Sequence, residues 1–577
     1  MRRAPTTLFI LCSFVACGPH EGARDVAIST AMPLGSSSAS AVVTPPGVVI
    51  SVVGTNDLHG RVLALPLLGG YVENLKRARE AAGGGVLLVD GGDMYQGTLE
   101  SNLLEGLPIR DAYAKLGYAA VTVGNHEFDF GPSGPNATPM AAGDDPRGAL
   151  IALSSGAPYP FLAANIVDKK TRASVGWQNV RPSALVEVAG IKIGLVGVTT
   201  EETLKTTIAT NVADLAIADL AKTIEAEAKT LRAAGARAVV VLAHAGGKCQ
   251  SFHDDPKADG CEEGAEIFRV ARALPKGLVD VIVAGHTHAG VAHEVNDIAI
   301  IESFANGRAF GRVDLQLEGP SRVVASRKIF PPRDLCPEGA KADLESCDPG
   351  SYEDRPVVRS SEVQKAIAHS VANAKGKRAE PIGTVLLDVV KRSYDEESAM
   401  GNLFADLLRE GAKGVDIAFV NGGGLRADLP AGELRYGALF ESFPFDNRMA
   451  TAKLSVKDLK TLLNGHLRRG AAILSVSGIT LRAECGAAGL AIELSTDKGQ
   501  PLKDDKMVTI LGSDFMFLGG DAFWGDLAPP AIEYGSDLMR DMLERGLKKR
   551  VKLRSTDVFD AKKPRLALKG RRPFKCP

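Results

Sequence analysis

The stretch AAVTVGNHEFD, residues 119–129, decides how the rest of the chain is interpreted. Its apolar half, Ala119 to Val123, predicts a short buried strand that ends at Gly124, before an amide, an imidazole and two carboxylates. In an open α/β sheet, ligands bind at the carboxyl ends of the strands, so polar residues placed there are candidates for a functional site. Taken alone, such a stretch is more often an ordinary polar turn, because short motifs frequently match by chance.

The same arrangement occurs at four other places, which makes coincidence a poor explanation. The further apolar runs are Val48–Val53, Val86–Val89, Ala238–Leu242 and Val279–Ala284. The polar residues that follow them are Asn56, Asp57 and His59; Asp90 and Asp93; His244; and His286 and His288. We expect these side chains to converge, because every run agrees with one layered architecture. They offer oxygen and imidazole ligands without a thiolate, which favours a divalent ion such as Zn, Mn, Mg or Fe over a structural zinc finger.

Two nearby polar residues are predicted to have lesser roles. Asp90 stands at the strand end itself, where a hydrogen-bonded structural role is the better interpretation. His293 follows the last motif and is predicted to lie behind the ligands or at the surface rather than among them.

Composition and charge indicate a soluble chain with more than one domain. Of 577 residues, 45% are hydrophobic and 24% charged, and 68 Lys and Arg balance 69 Asp and Glu, so no nucleic acid polymer or acidic membrane surface is indicated.

Over residues 47–332, β-like runs alternate with helical patterns such as 214–234, which predicts an α/β domain. Residues 333–379, with their Pro, Gly and acidic residues and a final helix, predict an interdomain connector. Residues 380–577 are long enough for a second core.

The first 46 residues predict export rather than a fold. A basic start and the apolar run Leu8–Ala16 are typical of a signal peptide over residues 1–17. The stretch FVAC at 14–17 resembles a lipoprotein box in which Cys17 would carry a lipid anchor, although Phe14 stands where Leu is usual, so cleavage and release is the alternative. Residues 18–46, rich in Ser, Ala, Gly and Pro, predict a flexible linker. We therefore expect a periplasmic or cell-envelope protein whose contact with a membrane is limited to Cys17.

The six cysteines beyond the signal segment predict disulfides, because an exported chain meets oxidising surroundings. The pairs we favour are Cys249 with Cys261, Cys336 with Cys347, and Cys485 with Cys576. Six cysteines allow fifteen connectivities, so the pairing stays open, and buried free thiols are the alternative.

In order and spacing, the five polar motifs resemble those of the calcineurin-like metallophosphatases. The variants NDLHG at 56–60 and NHEFD at 125–129 are similar to the 5′-nucleotidase/UDP-sugar hydrolase branch of that family. The resemblance implies an α/β fold, with a four-layer metallophosphatase domain of two packed sheets over 47–332 and an α/β (α+β) 5′-nucleotidase C-terminal domain over 380–577. It also implies a phosphohydrolase that removes phosphate from nucleotides by attack of a metal-activated hydroxide.

By this resemblance the site holds two divalent ions, which would be Zn, Mn, Mg or Co. Asp57, His59 and His288 would hold one ion, Asn125, His244 and His286 the other, and Asp93 would bridge them. A bridging carboxylate offsets the repulsion between cations roughly 3.5–4 Å apart, and such a pair can supply hydroxide at neutral pH. His126 is similar to the family's catalytic imidazole, and Asp129 would hold its tautomer.

Motifs in the C-terminal part resemble the substrate-binding domain of the same branch. They are NGGGLR at 421–426, FPFDN at 443–447 and LGGDAF at 518–523, each of which could alone be a simple turn. The implied substrate-binding residues are Asn421, Arg426, Phe445, Asn447, Phe515 and Asp521. Arg426 would bind phosphate, the two Phe rings would sandwich a planar base, and Asn447 and Asp521 would hydrogen-bond the ribose or the base.

One position departs from the family pattern and keeps the substrate open. In KRSYDEESAMGN, residues 391–402, Tyr394 stands where the family has a phosphate-binding Arg, and Arg392 is a candidate substitute. One alternative is a hydrolase of the same fold acting on 2′,3′-cyclic nucleotides, UDP-sugars or sulfur esters. Another is a surface binding lipoprotein without activity, against which the complete ligand set argues. We expect a nucleotide or related small phosphoester as the partner, and a monomer.

Overall fold

A computed structural model describes residues 47–576 except positions 135, 253–259, 320, 342, 471 and 488. The predicted signal peptide with Cys17 and the predicted linker 18–46 lie outside the described residues. Among the helices that are described, none combines the length and apolar character needed to span a bilayer.

The N-terminal half of the described chain is built on two main sheets. Its strands are β1 (Val48–Thr55), β2 (Gly85–Asp90), β3 (Ala120–Thr122), β4 (Phe161–Leu162), β5 (Ile166–Asp168), β6 (Val180–Arg181), β7 (Ser183–Val188), β8 (Ile191–Thr199), β9 (Leu215–Ile217), β10 (Ala238–His244), β11 (Val281–Ala284), β12 (Gly290–Val295), β13 (Ile298–Ser303), β14 (Ala309–Glu318) and β15 (Val323–Asp334). One sheet has the order β15-β14-β1-β2-β3-β4-β6 and the other β12-β13-β11-β10-β8-β7. β1, β2 and β3 are parallel, as are β8, β10 and β11, so the five predicted strands are all present.

Helices cover the outer faces of the two sheets and complete four layers. They are α1 (Leu65–Ala81), α2 (Leu99–Asn102), α3 (Leu107–Leu116), α4 (Gly148–Gly156), α5 (Leu220–Ala233) and α6 (Glu266–Ala273). Alternate residues of each strand serve two cores: Val52 and Val240 lie between the sheets, whereas Val53 packs toward α1 and α3, and Val239 toward α5 and α6. Both faces of these strands are therefore buried, which explains their unbroken apolar runs.

The helix predicted over 214–234 begins later than its periodicity suggests. Leu215–Ile217 forms β9, which pairs with β5, and the helix α5 starts only at Leu220. The side chain of Asp219 accepts a hydrogen bond from the backbone N–H of Lys222 at 2.8 Å and so caps the helix. Strand pairing and this cap set the boundary, which apolar spacing alone could not.

The segment predicted as a connector packs against the N-terminal half. Its members in the core around α1 and α3 are Leu335, Cys336, Cys347, Val357, Val363 and Ile367. The short strands β16 (Ser351–Tyr352) and β17 (Arg355–Pro356) pair within it, and the helix α7 (Ser361–Ala379) closes it. α7 contacts α1, α2 and α3, and it also contacts the later helix Tyr436–Ser442, so it packs against both halves of the chain.

The C-terminal half combines a mixed central sheet with two smaller sheets. Its strands are β18 (Pro381–Leu386), β19 (Ile417–Asn421), β20 (Gly432–Arg435), β21 (Arg448–Ser455), β22 (Leu474–Ser477), β23 (Ile479–Gly486), β24 (Gly489–Thr496), β25 (Met507–Ser513), β26 (Ile532–Leu538), β27 (Lys552–Leu553) and β28 (Leu566–Lys569). Its helices are α8 (Ala399–Gly411), α9 (Tyr436–Ser442), α10 (Val456–Arg468), α11 (Asp514–Phe517) and α12 (Met539–Leu547). The sheet orders are β22-β19-β25-β21-β26, β20-β18-β27 and β24-β23-β28. This half has its own apolar cores, so the predicted two-part α/β architecture is confirmed.

The three disulfides favoured from the sequence are confirmed. They join Cys249 to Cys261, Cys336 to Cys347, and Cys485 to Cys576. The last ties the end of the described chain to β23, the neighbour of β28.

Candidate metal centre

Polar residues that follow strands of both sheets converge into two adjoining clusters. One contains Asp57, His59 and His288, and the other contains Asp93, His244 and His286, with the ligand atoms of each within 4.8 Å of one another. Asn125 joins the second cluster, because its Oδ1 lies 2.9 Å from His244 Nε2 and 3.1 Å from His286 Nδ1. The structure thus brings together all seven residues named as metal ligands.

Asp93 lies between the two clusters. Its Oδ2 is 3.1 Å from His244 Nε2 and 4.0 Å from His59 Nε2. The same oxygen is 4.0 Å from His126 Nε2, and the other oxygen accepts the backbone N–H of His126 at 2.9 Å. Its position between the clusters is the one that a bridging carboxylate would need.

The imidazoles present lone pairs to the centre, which suits a cation. His59 Nδ1 donates to the Gln96 carbonyl at 3.1 Å, and His244 Nδ1 donates to the Gly91 carbonyl at 2.9 Å. Because a backbone carbonyl occupies Nδ1 of each ring, Nε2 is the atom that faces the centre and would bind an ion. His59 Nε2 lies 2.9 Å from His288 Nε2, and burial, followed by the charge of Arg426, holds the pKa of His59 well below its usual range. Imidazoles and carboxylates at this spacing fit divalent ions.

The backbone at the centre adopts conformations that side chains rarely accept. Left-handed φ values of 48–79° occur at Asp57, His59, Asp93, His286 and His288. Each such conformation raises the free energy of the folded state by on the order of 1–3 kcal/mol, and it is retained only where the surrounding structure enforces it. Gly92 permits part of this turn: its φ is 94°, and a Cβ there would lie 2.9 Å from His244 Nδ1.

Two supporting residues, Asn56 and Glu127, have roles that the sequence does not predict. Asn56 donates from Nδ2 to Asp57 Oδ2 at 2.7 Å and accepts the Ser303 N–H at 2.9 Å. The Glu127 carboxylate accepts the backbone N–H groups of Gly124, Asp93 and Met94 at 2.7, 2.9 and 2.8 Å. Both residues stand inside motifs, but the N–H groups of Ser303, Asp93 and Met94 that they accept are distant in the sequence, and motif spacing does not reveal such contacts.

His126 is held as a paired imidazole beside the clusters. Its Nδ1 lies 2.6 Å from Asp129 Oδ2, and Asp129 Oδ1 accepts the Thr207 hydroxyl at 3.0 Å. Burial opposes protonation, but the charges of Asp129 and Asp93 outweigh it and raise the pKa of His126. The pairing of these two residues that the family resemblance implies is present.

Asp90 and His293 lie away from the ligand set. Asp90 accepts hydrogen bonds from the hydroxyls of Thr55 and Tyr113, which agrees with a structural role, and burial raises its pKa to about 7. His293 is not at the surface: it is buried on β12, and its Nε2 donates to the Ser251 carbonyl. It neighbours the Cys249–Cys261 disulfide, whose sulfurs are bonded to each other and do not offer thiolates.

Two residues of the C-terminal half reach this centre. Arg426 Nη2 lies 3.2 Å from His59 Nε2, and the Arg426 guanidinium carbon is 5.8 Å from the centroid of the Phe445 ring. The Phe445 ring stacks on His126 at 5.6 Å with an interplanar angle of 28°. A cationic group and an aromatic face therefore stand directly beside the candidate ligands.

The other predicted substrate residues have contacts of their own in this half of the chain or at its border with the first half. Asn447 borders, with Asp129 and Phe445, a cavity of about 440 Å³ between the halves. Asn421 donates to Asp521 Oδ2 at 2.8 Å. Phe515 packs on the glycine preceding Asp521, and the turn that contains Asp521 contacts the helical turn Thr203–Lys205 of the first half.

Tyr394 and Arg392 lie near Arg426. The Tyr394 side chain is half exposed and packs beside Gly423. Burial lowers the pKa of Arg426, and the positive charge of Arg392 adds to that shift, so the two cations are within electrostatic range of each other.

Two packed sheets whose strand ends gather paired carboxylate and imidazole clusters define a metallophosphoesterase. Residues 50–290 match the family model described as calcineurin-like phosphoesterase, and residues 378–526 match the 5′-nucleotidase C-terminal domain. The two matches span more than half of the chain, which belongs to the calcineurin-like phosphoesterases that carry this C-terminal domain. The family resemblance noted in the sequence is thereby confirmed, and the fold implies divalent metal ions.

Curated relatives are similar over most of this chain. It is 27% identical to a cell wall protein of Listeria monocytogenes over 85% of this chain and 65% of that protein. It is 26% identical to an endonuclease of Bacillus subtilis over 81% of this chain and 37% of that protein. A 5′-nucleotidase of Vibrio parahaemolyticus is 25% identical over 86% of this chain and 89% of its own length. The chain thus spans less than two thirds of the first two relatives.

Solved structures share the fold of both halves. A 5′-nucleotidase precursor of Thermus thermophilus superposes with a TM-score of 0.69 at 21% identity, covering 90% of this chain and 99% of that one. A sulfate thiohydrolase of Thermus thermophilus gives 0.66 at 16% identity, covering 92% and 99%. At these identities the likeness establishes the fold alone.

Proposed function

We propose that this protein is an exported dimetal phosphohydrolase that removes the 5′-phosphate from nucleotides. The observation that carries the proposal is the position of Arg426 and Phe445 beside the two ligand clusters. A guanidinium can bind a phosphate, and an aromatic face can stack on a nucleobase. The phosphate and the base of a nucleotide would therefore each have a complementary group next to the centre. The name of the Vibrio relative, 5′-nucleotidase, supports the same substrate class.

The metal ligands would divide as the clusters do. Asp57, His59 and His288 would hold one ion, Asn125, His244 and His286 the other, with Asp93 shared. Bound divalent ions supply Lewis-acid stabilisation of a phosphoryl group and make water more acidic. The hydrogen bonds from His59 and His244 to backbone carbonyls orient both rings for this task.

The remaining residues bind the substrate and move a proton. Arg426 holds the phosphoryl oxygens through its planar fork of donors. His126, charged through its pair with Asp129, stabilises those oxygens or gives the Nε2 proton to the leaving oxygen. Phe445 and Phe515 hold the base, and the polar groups of Asn421, Asn447 and Asp521 hold the sugar or the base edge. The 440 Å³ cavity at Phe445 gives room for part of the substrate.

Tyr394 supports a second candidate, in which the same fold acts on another ester. Without a guanidinium at this position the site has less positive charge for a terminal phosphate, which favours a 2′,3′-cyclic nucleotide, a UDP-sugar or a sulfur ester. The fold is shared with a sulfate thiohydrolase, so such chemistry has a precedent in this architecture. A surface binding protein without activity is a weaker candidate, because the seven candidate ligands are all in place.

A substrate panel with defined metals tests the proposal. Purified protein receives Mn²⁺, Zn²⁺, Co²⁺ or Mg²⁺ in turn, and product release is measured from 5′-AMP, UDP-glucose, 2′,3′-cyclic AMP and thiosulfate esters. We expect metal-dependent phosphate release from 5′-AMP that is lost in Asp93→Asn. Activity confined to another ester would establish the second candidate. Bound metal without activity on any ester would support the binding protein.

Export and lipid attachment at Cys17 form the cellular part of the proposal. They are supported by the signal-like first segment, by the three disulfides and by the name of the Listeria relative, a cell wall protein. Labelling cells with a radioactive fatty acid should mark the wild-type protein but not Cys17→Ala. Unlabelled protein in the periplasm would instead show cleavage and release.

A further inference from the structure

Arg540, at the start of α12, is a buried arginine that the proposed chemistry does not use. Its side chain is almost fully enclosed and is directed at the loop 443–447. Nη1 donates to the carbonyls of Phe443 and Phe445, at 3.2 Å each, and Nη2 donates to Asp446 Oδ1. A buried guanidinium that finds several acceptors on one loop restrains the backbone of that loop.

Neighbouring aromatic residues hold the guanidinium in turn. Its central carbon lies 4.4 Å from the centroid of the Phe440 ring, and Nε is 3.4 Å from the Tyr436 hydroxyl. Both residues belong to α9, which precedes the loop. Arg540 therefore connects α12, α9 and the loop into one rigid unit.

The loop matters because it carries the aromatic side chain at the metal centre. Phe445 stacks on His126 of the first half and lies beneath the guanidinium of Arg426. Moving the Phe445 carbonyl moves the ring that contacts both. The neighbouring residues Asp446 and Asn447 border the cavity between the halves, so a shift of the loop also changes the shape of that cavity.

We propose that Arg540 is a positioning residue that fixes the Phe445 ring as the platform for the planar base of the substrate. The inference rests on the proposed nucleotide substrate. Within that proposal it makes a specific claim: Arg540 acts through the Phe445 ring on the base-bearing part of the substrate, whereas His126 is held by its own pair with Asp129. Lysine cannot replace it fully, because one ammonium on a flexible stem cannot match the fork that holds two carbonyls and a carboxylate.

Kinetics on two matched substrates test the claim. Arg540→Met should raise KM for 5′-AMP roughly tenfold, since a platform misplaced by about 1 Å weakens binding. KM for ribose 5-phosphate, which has no base, should stay within twofold, and kcat for both should change little. Arg540→Lys should lie between the wild type and Arg540→Met. Adenosine binding to the same proteins, measured by calorimetry, should weaken in parallel.

Two further variants separate positioning from stability. Asp446→Ala removes one acceptor on the exposed part of the loop, so it should fold even where Arg540→Met does not, and it should raise KM for 5′-AMP in the same selective way. Arg565→Met is the control, because Arg565 pairs with Asp406 and touches no residue of the loop among its described contacts. It should lower the melting temperature without changing the ratio of the two KM values.

The outcomes distinguish this inference from the proposed function. Equal losses on both substrates in Arg540→Met and Asp446→Ala would overturn the positioning role while leaving the nucleotidase intact. A wild type that neither binds adenosine nor hydrolyses 5′-AMP would overturn the proposed function, and the inference with it.

Discussion

Tyr394 stands where the family resemblance implies an arginine, and adding that positive charge should have a measurable effect. Tyr394→Arg places a guanidinium within electrostatic range of Arg426, and a hydrogen bond to a charged group contributes about 1.5–3 kcal/mol. We therefore expect KM for 5′-AMP to fall about tenfold, which corresponds to about 1.4 kcal/mol. Tyr394→Phe is the matched control and should leave KM unchanged. An unchanged KM in Tyr394→Arg would mean that the phosphate binds elsewhere or is already held by Arg392.

His466 gives the molecule a pH-dependent stability that is independent of the metal centre. It is buried on α10, with Nε2 2.6 Å from the Ala472 carbonyl, and burial lowers its pKa from 6.5 to about 4. Because the folded state disfavours the proton, the contribution is fully present above pH 6.5 and is lost as the pH falls toward 4. The loss is about 1.4 kcal/mol per pH unit, or about 3 kcal/mol over this window.

Urea unfolding at pH 7, 6, 5 and 4 measures this effect. His466→Gln keeps an N–H donor for the carbonyl but does not titrate, so its free energy of unfolding should fall less steeply below pH 6.5 than that of the wild type. His369→Gln, a change at an exposed position on α7, should follow the wild type. Parallel curves for wild type and His466→Gln would contradict the prediction.

At the scale of structural elements, the disulfides should contribute different amounts to the free energy of unfolding, according to the lengths of the loops that they close. Cys485–Cys576 closes a separation of 91 residues and Cys249–Cys261 one of 12. Closing a longer loop removes more conformational entropy from the unfolded chain. On this basis the Cys485–Cys576 disulfide should stabilise the fold by about 2 kcal/mol more than the Cys249–Cys261 disulfide. Replacing the longer pair by Ala should therefore lower the free energy of unfolding by about that much more than replacing the shorter pair. Equal losses, measured by urea unfolding, would show that the entropy of the unfolded chain does not decide their order.

The strands could be predicted because each has a distinct local pattern in the amino-acid sequence. β1, β2 and β10 are buried on both faces, which produces unbroken apolar runs, and their polar endings mark where they stop. The start of α5 could not be predicted in the same way. There, Leu215 fits the helical period but belongs to the strand β9. The helix begins only after Asp219, which caps it.

The candidate ligands were predictable for a related reason, whereas their supports were not. Asp57 and Asp93 are side chains that project from strand ends, so sequence position indicates where they meet. The role of Glu127 depends on backbone N–H groups of another loop, and that of Arg540 on carbonyls roughly a hundred residues away. Such contacts arise from the folded path of the chain and leave no periodic pattern.

At the scale of the whole molecule, a chain of alternating charges joins the two halves. Glu441 on α9 contacts Arg61 at 3.1 Å and Arg378 at 2.6 Å. Arg378, at the end of α7, also forms a bidentate pair with the buried Glu100 of α2, at 2.8 and 3.0 Å. Arg61 lies two residues after the candidate ligand His59, so the network connects the C-terminal half to the loop that carries the metal centre.

Glu441→Gln should weaken this connection, because it leaves two guanidinium groups facing each other without the carboxylate between them. The groups are partly exposed, so solvent screens them and we expect a coupling free energy of about 1–2 kcal/mol between Arg61 and Glu441, below the value for a fully buried pair. A double-mutant cycle with Arg61→Met, read by thermal unfolding, measures it. The exposed pair Arg77 and Glu73 on α1 is the control and should give no more than about 0.5 kcal/mol.

If the network holds Arg426 against His59, Glu441→Gln should also raise KM for 5′-AMP and do so more strongly at low salt, since ionic screening weakens the remaining contacts in both proteins at high salt. A coupling no larger than that of the control pair, together with an unchanged KM, would show that apolar packing of α7 against both halves holds them together without help from these charges.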